Sequence, residues 1–287
     1  MNIWERFQHI DVRIIYVVLV VSIALPLLFP LNFPIEVSKE TKGAYDVVDT
    51  LEPGDIIIMD SAYNPGSGPE LYPPAVAIAR HAFSKDVRII GFNSWELGAQ
   101  MMQRALDAAA ADYGKEYGVD YIVLGYKRPL AATIRAAIND AWGAWKADIN
   151  GTTFDNLPMM ADFRSIKEDC HMIVVMNAGS PGAGNWVTYV GTPSQNPGPN
   201  NPDGFVRTIP IVVACVSVEI SGAKASLQSG VYTGLVPGGR GGAEYELLIN
   251  HPATGVGAMD AQSTGHLAII LFIILGNIGY LASRRSA

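Results

Sequence analysis

Two uncharged apolar runs, one near each end of the chain, limit its fold more than anything between them. Ile14–Leu31 reads IIYVVLVVSIALPLLFPL, close to the roughly 20 residues a helix needs to cross the hydrocarbon core of a bilayer. A cleaved signal peptide would have a shorter apolar stretch and a small-residue cleavage site. Here Pro30, Asn32 and Pro34 follow instead, so a retained transmembrane helix over residues 14–34 is expected. Pro26 should kink it or mark its outer end. Leu267–Ala282 reads LAIILFIILGNIGYLA and is closed by Ser283, Arg284 and Arg285. It predicts a second span over 261–282, with Gly265 and His266 extending it into the interface. Gly276 and Gly279, with Asn277 between them, form a candidate helix–helix contact, because small residues permit close approach and an amide in lipid seeks a partner.

Arg6 and Arg13 precede the first span, and Arg284 and Arg285 follow the second. Excess Lys and Arg stay cytoplasmic, whereas acids such as Glu5 and Asp11 count little. Both tails, 1–13 and 283–287, are therefore expected in the cytoplasm, and the domain over 35–260 outside it. The mean hydropathy of +0.20 with only 16% charged residues agrees with a membrane protein.

Between the spans, strand-like and helix-like runs alternate. Asp55–Asp60, Val87–Phe92, Tyr121–Tyr126, Met172–Met176 and Ile211–Ile220 are apolar throughout. The intervening segments around Ala75–Ala82, over Trp95–Tyr117 and over Leu130–Ala147 show helical spacing, and Met159–Ile166 suggests a short helix. Continuously apolar strands separated by amphipathic helices indicate a parallel sheet covered on both faces. The expected fold is α/β: a Rossmann-like, doubly wound, mostly parallel sheet of about five strands, flanked by one N-terminal and one C-terminal transmembrane helix. Thr192–Gly204 reads as an exposed loop, and Val236–Gly242 (VPGGRGG) as a flexible turn before a helix at Ala243–Asn250.

In open parallel sheets, ligands bind beyond the carboxyl ends of the strands. The polar residues there are Asp60, Ser61 and Asn64 after the first strand, and Asn93, Ser94 and Glu96 after the second. Tyr126 and Lys127 end the third, while Asn177 and Ser180 follow the fourth. Asp60, Ser61, Asn64, Asn93, Ser94, Glu96, Asn177 and Ser180 are the candidate ligand-binding set. The same residue types also serve as helix caps and turn formers. Ser94 fits a cap, and Asn64-Pro65-Gly66 fits a turn.

Other chemistries find less support. The net charge of −7, with no interior run of Lys or Arg, argues against nucleic acid as a partner. Cys170 and Cys215 are too few for a zinc site; buried free thiols are the simpler reading, and a single disulfide the rival one. Gly179–Gly184 has the spacing of a phosphate-cradling loop, but lacks the Lys and Ser/Thr of a Walker loop and does not open the first βα unit. There is no G-x-S-x-G elbow, no H-E-x-x-H and no acidic calcium loop. Only His81, His171 and His251 fall within the domain. No cofactor or metal is expected, and no catalytic residue is identified.

The leading expectation is a non-enzymatic scaffold or assembly subunit, acting as a homo-oligomer or within a larger membrane complex. Trp142 and Trp145 are either interface anchors or core residues. The alternatives are an anchored small-ligand receptor and an envelope enzyme using some of Asp60, Ser61, Asn93, Glu96 and Ser180. A perturbed carboxylate in a polar cluster would favour the enzyme. A roomy pocket without one would favour the receptor, and a filled cleft with apolar outer patches the scaffold.

Overall fold

The computed structural model describes residues 10–128 and 130–286, with side chains up to Ala282. It contains two compact units: Glu36–His251, and the terminal segments Met1–Ile35 with Pro252–Ala287. Helix α1 (Val12–Leu28) belongs to the terminal unit.

Six strands build the central unit: β1 (Ile56–Ala62), β2 (Arg88–Asn93), β3 (Tyr121–Tyr126), β4 (Cys170–Asn177), β5 (Ile211–Cys215) and β6 (Gly234–Pro237). Their order is β3-β2-β1-β4-β5-β6, with every neighbouring pair parallel. This order belongs to doubly wound sheets whose chain reverses direction across the sheet next to the first strand. The helices are α2 (Lys39–Asp49), α3 (Gly68–Ser84), α4 (Gly98–Tyr113), α5 (Leu130–Asn139), α6 (Ala141–Trp145), α7 (Ile166–Asp169), α8 (Ala183–Trp186), α9 (Ile220–Gln228) and α10 (Gly238–Leu248).

Side-chain alternation along β1 explains the two-sided core. Ile57 and Met59 point into a cluster with Ala44 of α2, Leu71 of α3, Met102 of α4 and Tyr245 of α10. Ile56 and Ile58 point into the opposite cluster with Ile134 of α5, Trp145 of α6, Trp186 of α8 and Ala223 of α9. Each fully buried Ile or Leu contributes roughly 1.5–3 kcal/mol of burial free energy, so a strand with both faces covered is apolar except where, as at Asp60 and Ser61, a polar side chain is hydrogen-bonded.

The sheet has one strand more than the expected five. Gly234–Pro237 runs into Val236–Gly242, the stretch whose glycines read as a turn, and α10 begins at Gly238, inside that stretch. Glycine disfavours helix by about 1 kcal/mol relative to Ala, but close packing overrides that cost here. A Cβ at Gly242 would lie 2.7 Å from the Pro74 ring of α3, and one at Gly241 2.8 Å from the Pro237 ring. Arg240, among these glycines, bonds Glu244 and the Glu36 carbonyl. The expected long helix over Leu130–Ala147 breaks at Asp140, whose carboxylate caps α6 through Gly143 N–H at 2.9 Å. Trp145 is buried, and Trp142 donates its indole N–H to Phe163 O at 2.8 Å, which places both in the core. Cys170 and Cys215 are free and buried.

At the β3 edge, the Ile149 N–H bonds Val123 O at 2.7 Å. Over the face of β6, Gly234 lies so close to α2 that a Cβ would sit 2.8 Å from Ala44 Cα.

In the terminal unit, α11 (Thr254–Ser286) runs for 33 residues. Its Thr254–Ala282 portion is long and apolar enough to cross a membrane, whereas α1, at 17 residues, falls short by length. The helix expected over 14–34 therefore stops at Leu28, and residues 29–38 are not helical. The two helices run antiparallel: the Thr264 hydroxyl donates to Ser22 O at 2.6 Å, while Asp260 meets the chain after α1. Asp260 is fully buried and accepts the N–H groups of Leu31, Asn32 and Phe33 at 2.8, 2.9 and 3.0 Å. One carboxylate thus satisfies three donors that leaving the helix would otherwise strand. The close small-residue contact is Gly265, where a Cβ would meet Ile23 at 3.4 Å. Gly276 has open space around it, Asn277 bonds its own helix at Ile273 O, and Gly279 is buried. Arg6 lies outside the described residues, as do the side chains of Arg284 and Arg285.

Candidate functional site

The candidate residues gather at the carboxyl edge of the sheet, as its parallel topology requires, but they divide into internal ties and cavity walls. Asp60 and Ser61 are adjacent on β1 and therefore face opposite sides. Asp60 is fully buried, accepting Ser94 N–H at 2.8 Å, the Trp186 indole N–H at 2.7 Å and the Ser94 hydroxyl. Burial raises its pKa above the ordinary carboxylate value, against the lowering effect of these hydrogen bonds. Ser61, on the other face, donates to Asn93 Oδ1 at 2.6 Å. The first residue of α4 covers this pair: a Cβ on Gly98 would lie 2.4 Å from Ser61 O. Only glycine fits where helix and strand approach so closely.

Ser94 is therefore not the helix cap that its position suggested. The residue before α4 is Leu97, which makes no side-chain cap, and Ser94 is held by the carboxylate of the neighbouring strand. Asn64 does form the expected turn, accepting Gly66 N–H at 3.0 Å. Asp60, Ser61 and Asn93 are sealed at 0% exposure. The perturbed carboxylate belongs to the filled part of the edge and has no path to a substrate.

Beside this filled part, the edge stays open. Asn177 ends β4, and its amide works in both directions: Oδ1 accepts Ala183 N–H at 3.1 Å, and Nδ2 donates to Glu219 Oε2 at 2.8 Å. The chain from Gly179 to Gly184 wraps over that amide. A Cβ at Gly182 would lie 2.0 Å from Asn177 Oδ1, so a side chain there would break the wrap. Gly179 has φ +140°, a conformation open to glycine. The indole of Trp95 pins the loop from the other side, donating to Pro181 O at 2.7 Å.

Pinned in this way, the loop separates two cavities. The larger, about 440 Å³, is bounded by Asn177, Ser180, Asn185, Thr188, Glu219 and Tyr232. The smaller, about 280 Å³, is bounded by Asn64, Ser94, Glu96, Leu97, Tyr126 and Arg128. The eight candidates thus fall into three groups. Asp60, Ser61 and Asn93 are internal; Asn64, Ser94 and Glu96 line the smaller cavity; Asn177 and Ser180 line the larger one. Glu219 and Tyr232 were not in the candidate set. Glu219 lies four residues beyond β5, where the strand-end rule could have found it. Tyr232 arrives from the segment before β6 and carries no comparable signal. Among the described residues, no group of three or more His, Cys, Asp or Glu side chains is placed to hold a metal.

No protein-family description, curated protein or solved structure matches this chain.

Proposed function

We propose that the chain is a membrane-anchored binding protein that takes a small polar molecule in the cavity beyond β4 and β5. The open volume of about 440 Å³ carries this reading; it lies where parallel sheets bind ligands and falls within the size range of small-molecule sites. The cavity offers hydroxyl, amide and carboxylate groups from three separate segments, while Asp60, whose pKa burial raises, is walled off from it.

In this reading, α1 joins α11 in the bilayer, both ends of the chain lie in the cytoplasm, and residues 35–260 lie outside. The antiparallel pairing of the helices supports termini on one side. At 1.5 Å per residue α1 reaches about 25 Å, and the non-helical residues after Leu28 add length toward the full hydrocarbon thickness. Cysteine labelling of each tail in sealed vesicles tests that arrangement.

The binding test is native mass spectrometry of the full-length protein released gently from its own membrane, alongside Gly184→Phe. Gly184 lines the cavity with nothing within 4 Å of its Cβ position, so a phenyl group fills the space without forcing the backbone. A reproducible small adduct on the wild type that Gly184→Phe loses is the expected result. A wild-type protein that carries no adduct, or an adduct that Gly184→Phe retains, refutes it.

A second reading, an assembly subunit docking through this same edge, rests on Leu97 and Val218. These are exposed at 55% and 90% beside the two cavities. A fixed stoichiometry with copies of itself or with another protein in the same spectra would favour it.

A further inference from the structure

We propose that the cavity beyond β4 and β5 is built for a ligand bearing a protonated amine. This inference deepens the binding role above and depends on it. The sign of the charge comes first. Among the described residues lining the cavity, Glu219 carries the formal charge, and neither Lys nor Arg lines it. Its Oε2 is held from within by Asn177 Nδ2 at 2.8 Å, which fixes the carboxylate in place. Its Oε1 turns toward the loop, 3.7 Å from where a Cβ on Gly179 would stand. A carboxylate fixed through one oxygen has the other free to accept from a cation, and a charge-assisted bond of that kind is about twice as strong as a neutral one.

Tyr232 brings an aromatic ring to the same cavity, and ring faces attract ammonium groups. An anion would meet the opposite field.

The loop, despite its glycines, is poorly equipped to take a phosphate. The Ala183 N–H is already given to Asn177 Oδ1, and the Asn185 N–H to Gly182 O at 3.2 Å. Helix α8 runs on into a π-helical stretch over Val187–Gly191, and its first N–H, that of Ala183, is the one already spent on Asn177. The hydroxyls of Ser180 and Thr188 and the Asn185 amide also line the cavity. They suit hydroxyl or carbonyl groups elsewhere on the same ligand. The ligand class is therefore a small amine with polar substituents, such as an amino alcohol or a short polyamine.

The test uses the full-length chain in detergent, titrated calorimetrically with ethanolamine, putrescine and spermidine. The uncharged isosteres ethylene glycol and 1,4-butanediol, and inorganic phosphate, serve as controls. At least one amine should bind about tenfold or more tightly than its isostere, and phosphate should not bind. Glu219→Gln keeps an oxygen for Asn177 while removing the charge, and should weaken amine binding about tenfold. Gly184→Phe should abolish it. Amine binding that is unchanged by Glu219→Gln, or phosphate binding that Gly184→Phe removes, overturns the amine assignment while leaving a working cavity. If none of the probes binds and the wild type carries no native adduct, the amine assignment and the binding role both fall.

Discussion

Replacing Asp60 by Asn tests whether the filled part of the sheet edge is held as its geometry implies. The carboxylate serves three donors: Ser94 N–H on Oδ1, and the Ser94 hydroxyl and Trp186 indole N–H on Oδ2. The Ser94 hydroxyl can turn and accept instead, but the other two groups only donate. An Asn side chain has a single acceptor, so either orientation strands one N–H against its own NH₂. An orphaned buried donor costs about 1–3 kcal/mol. For a domain of this size, each kcal/mol moves the melting temperature by roughly 2–4 °C, so a fall of about 2–12 °C is expected. The loss should depend on pH. Burial raises the folded-state pKa of Asp60. Between its unfolded and folded values the native state therefore binds more protons than the unfolded state, and wild-type stability falls as pH rises through that window. A protonated Asp60 still satisfies all its partners, its O–H donating to Ser94 Oγ while the same oxygen accepts from Trp186. The amide of the variant does not titrate. The gap between wild type and Asp60→Asn should therefore be widest near pH 4 and narrow toward neutrality.

The assay is thermal unfolding of the full-length protein in detergent, followed by near-ultraviolet circular dichroism. Trp186→Phe and the double variant complete a mutant cycle. Phe removes the donor that Asn strands, so the double variant should recover about 1 kcal/mol or more relative to additivity. A melting point within 1 °C of wild type for Asp60→Asn, or strictly additive losses, would refute the assignment.

Three further predictions follow from other contacts. Gly98→Ala drives a Cβ to 2.4 Å from Ser61 O, and the shift it forces should cost about 1–3 kcal/mol by thermal melting; wild-type stability would mean that α4 does not sit so close to β1. Glu244, 1% exposed, accepts from Arg240, the Ser38 N–H and hydroxyl, and Thr41. Glu244→Gln places an NH₂ against a donor and should cost about 2 kcal/mol, freeing the start of α2 for limited proteolysis; an unchanged digestion pattern would count against that tie. His81 packs on the Tyr45 ring and contacts Tyr245 and Asp49, with Lys85 beyond, and burial lowers its pKa. Below about pH 6.5 the unfolded chain takes a proton that the folded chain refuses, so stability falls as pH drops, by at most about 1.4 kcal/mol per unit. His81→Gln should flatten that slope between pH 7 and 5, and equal slopes would exclude His81 as its source.

The parts of the fold legible in the sequence are those whose physics is local. Strands buried on both faces must be apolar wherever no hydrogen bond offsets a polar side chain, so β1 to β5 stand out as runs. Parallel pairing then sends their polar ends to one edge. β6 and α10 were hidden because their evidence is not local: glycine and proline read as breakers until Gly234 is seen against Ala44 of α2, and Pro73 and Pro74 of α3 are seen to need a partner helix without side chains. Asp260 was hidden for the same reason. A lone acid before an apolar run looks like a flank, and only the antiparallel return of α1 brings three unpaired N–H groups to it.

At the site, sequence position located the edge but could not say which polar group would be satisfied from inside. Ser94 sits where a helix cap belongs, yet Asp60 on the adjacent strand lies nearer and is charged when ionised, so it outcompetes the turn. Once Asp60 has taken Ser94 and Trp186, and Ser61 has taken Asn93 Oδ1, that part of the edge is closed to ligands. What stays open is decided at β4, where Asn177 uses its amide to fix both the loop and Glu219. An amide can organise a cavity in this way because it donates and accepts at once. A carboxylate at position 177 would repel Glu219, and an aliphatic side chain would leave both Ala183 N–H and Glu219 without their partner. The cavity beyond β4 and β5 therefore depends on the one candidate residue whose chemistry serves both its neighbours.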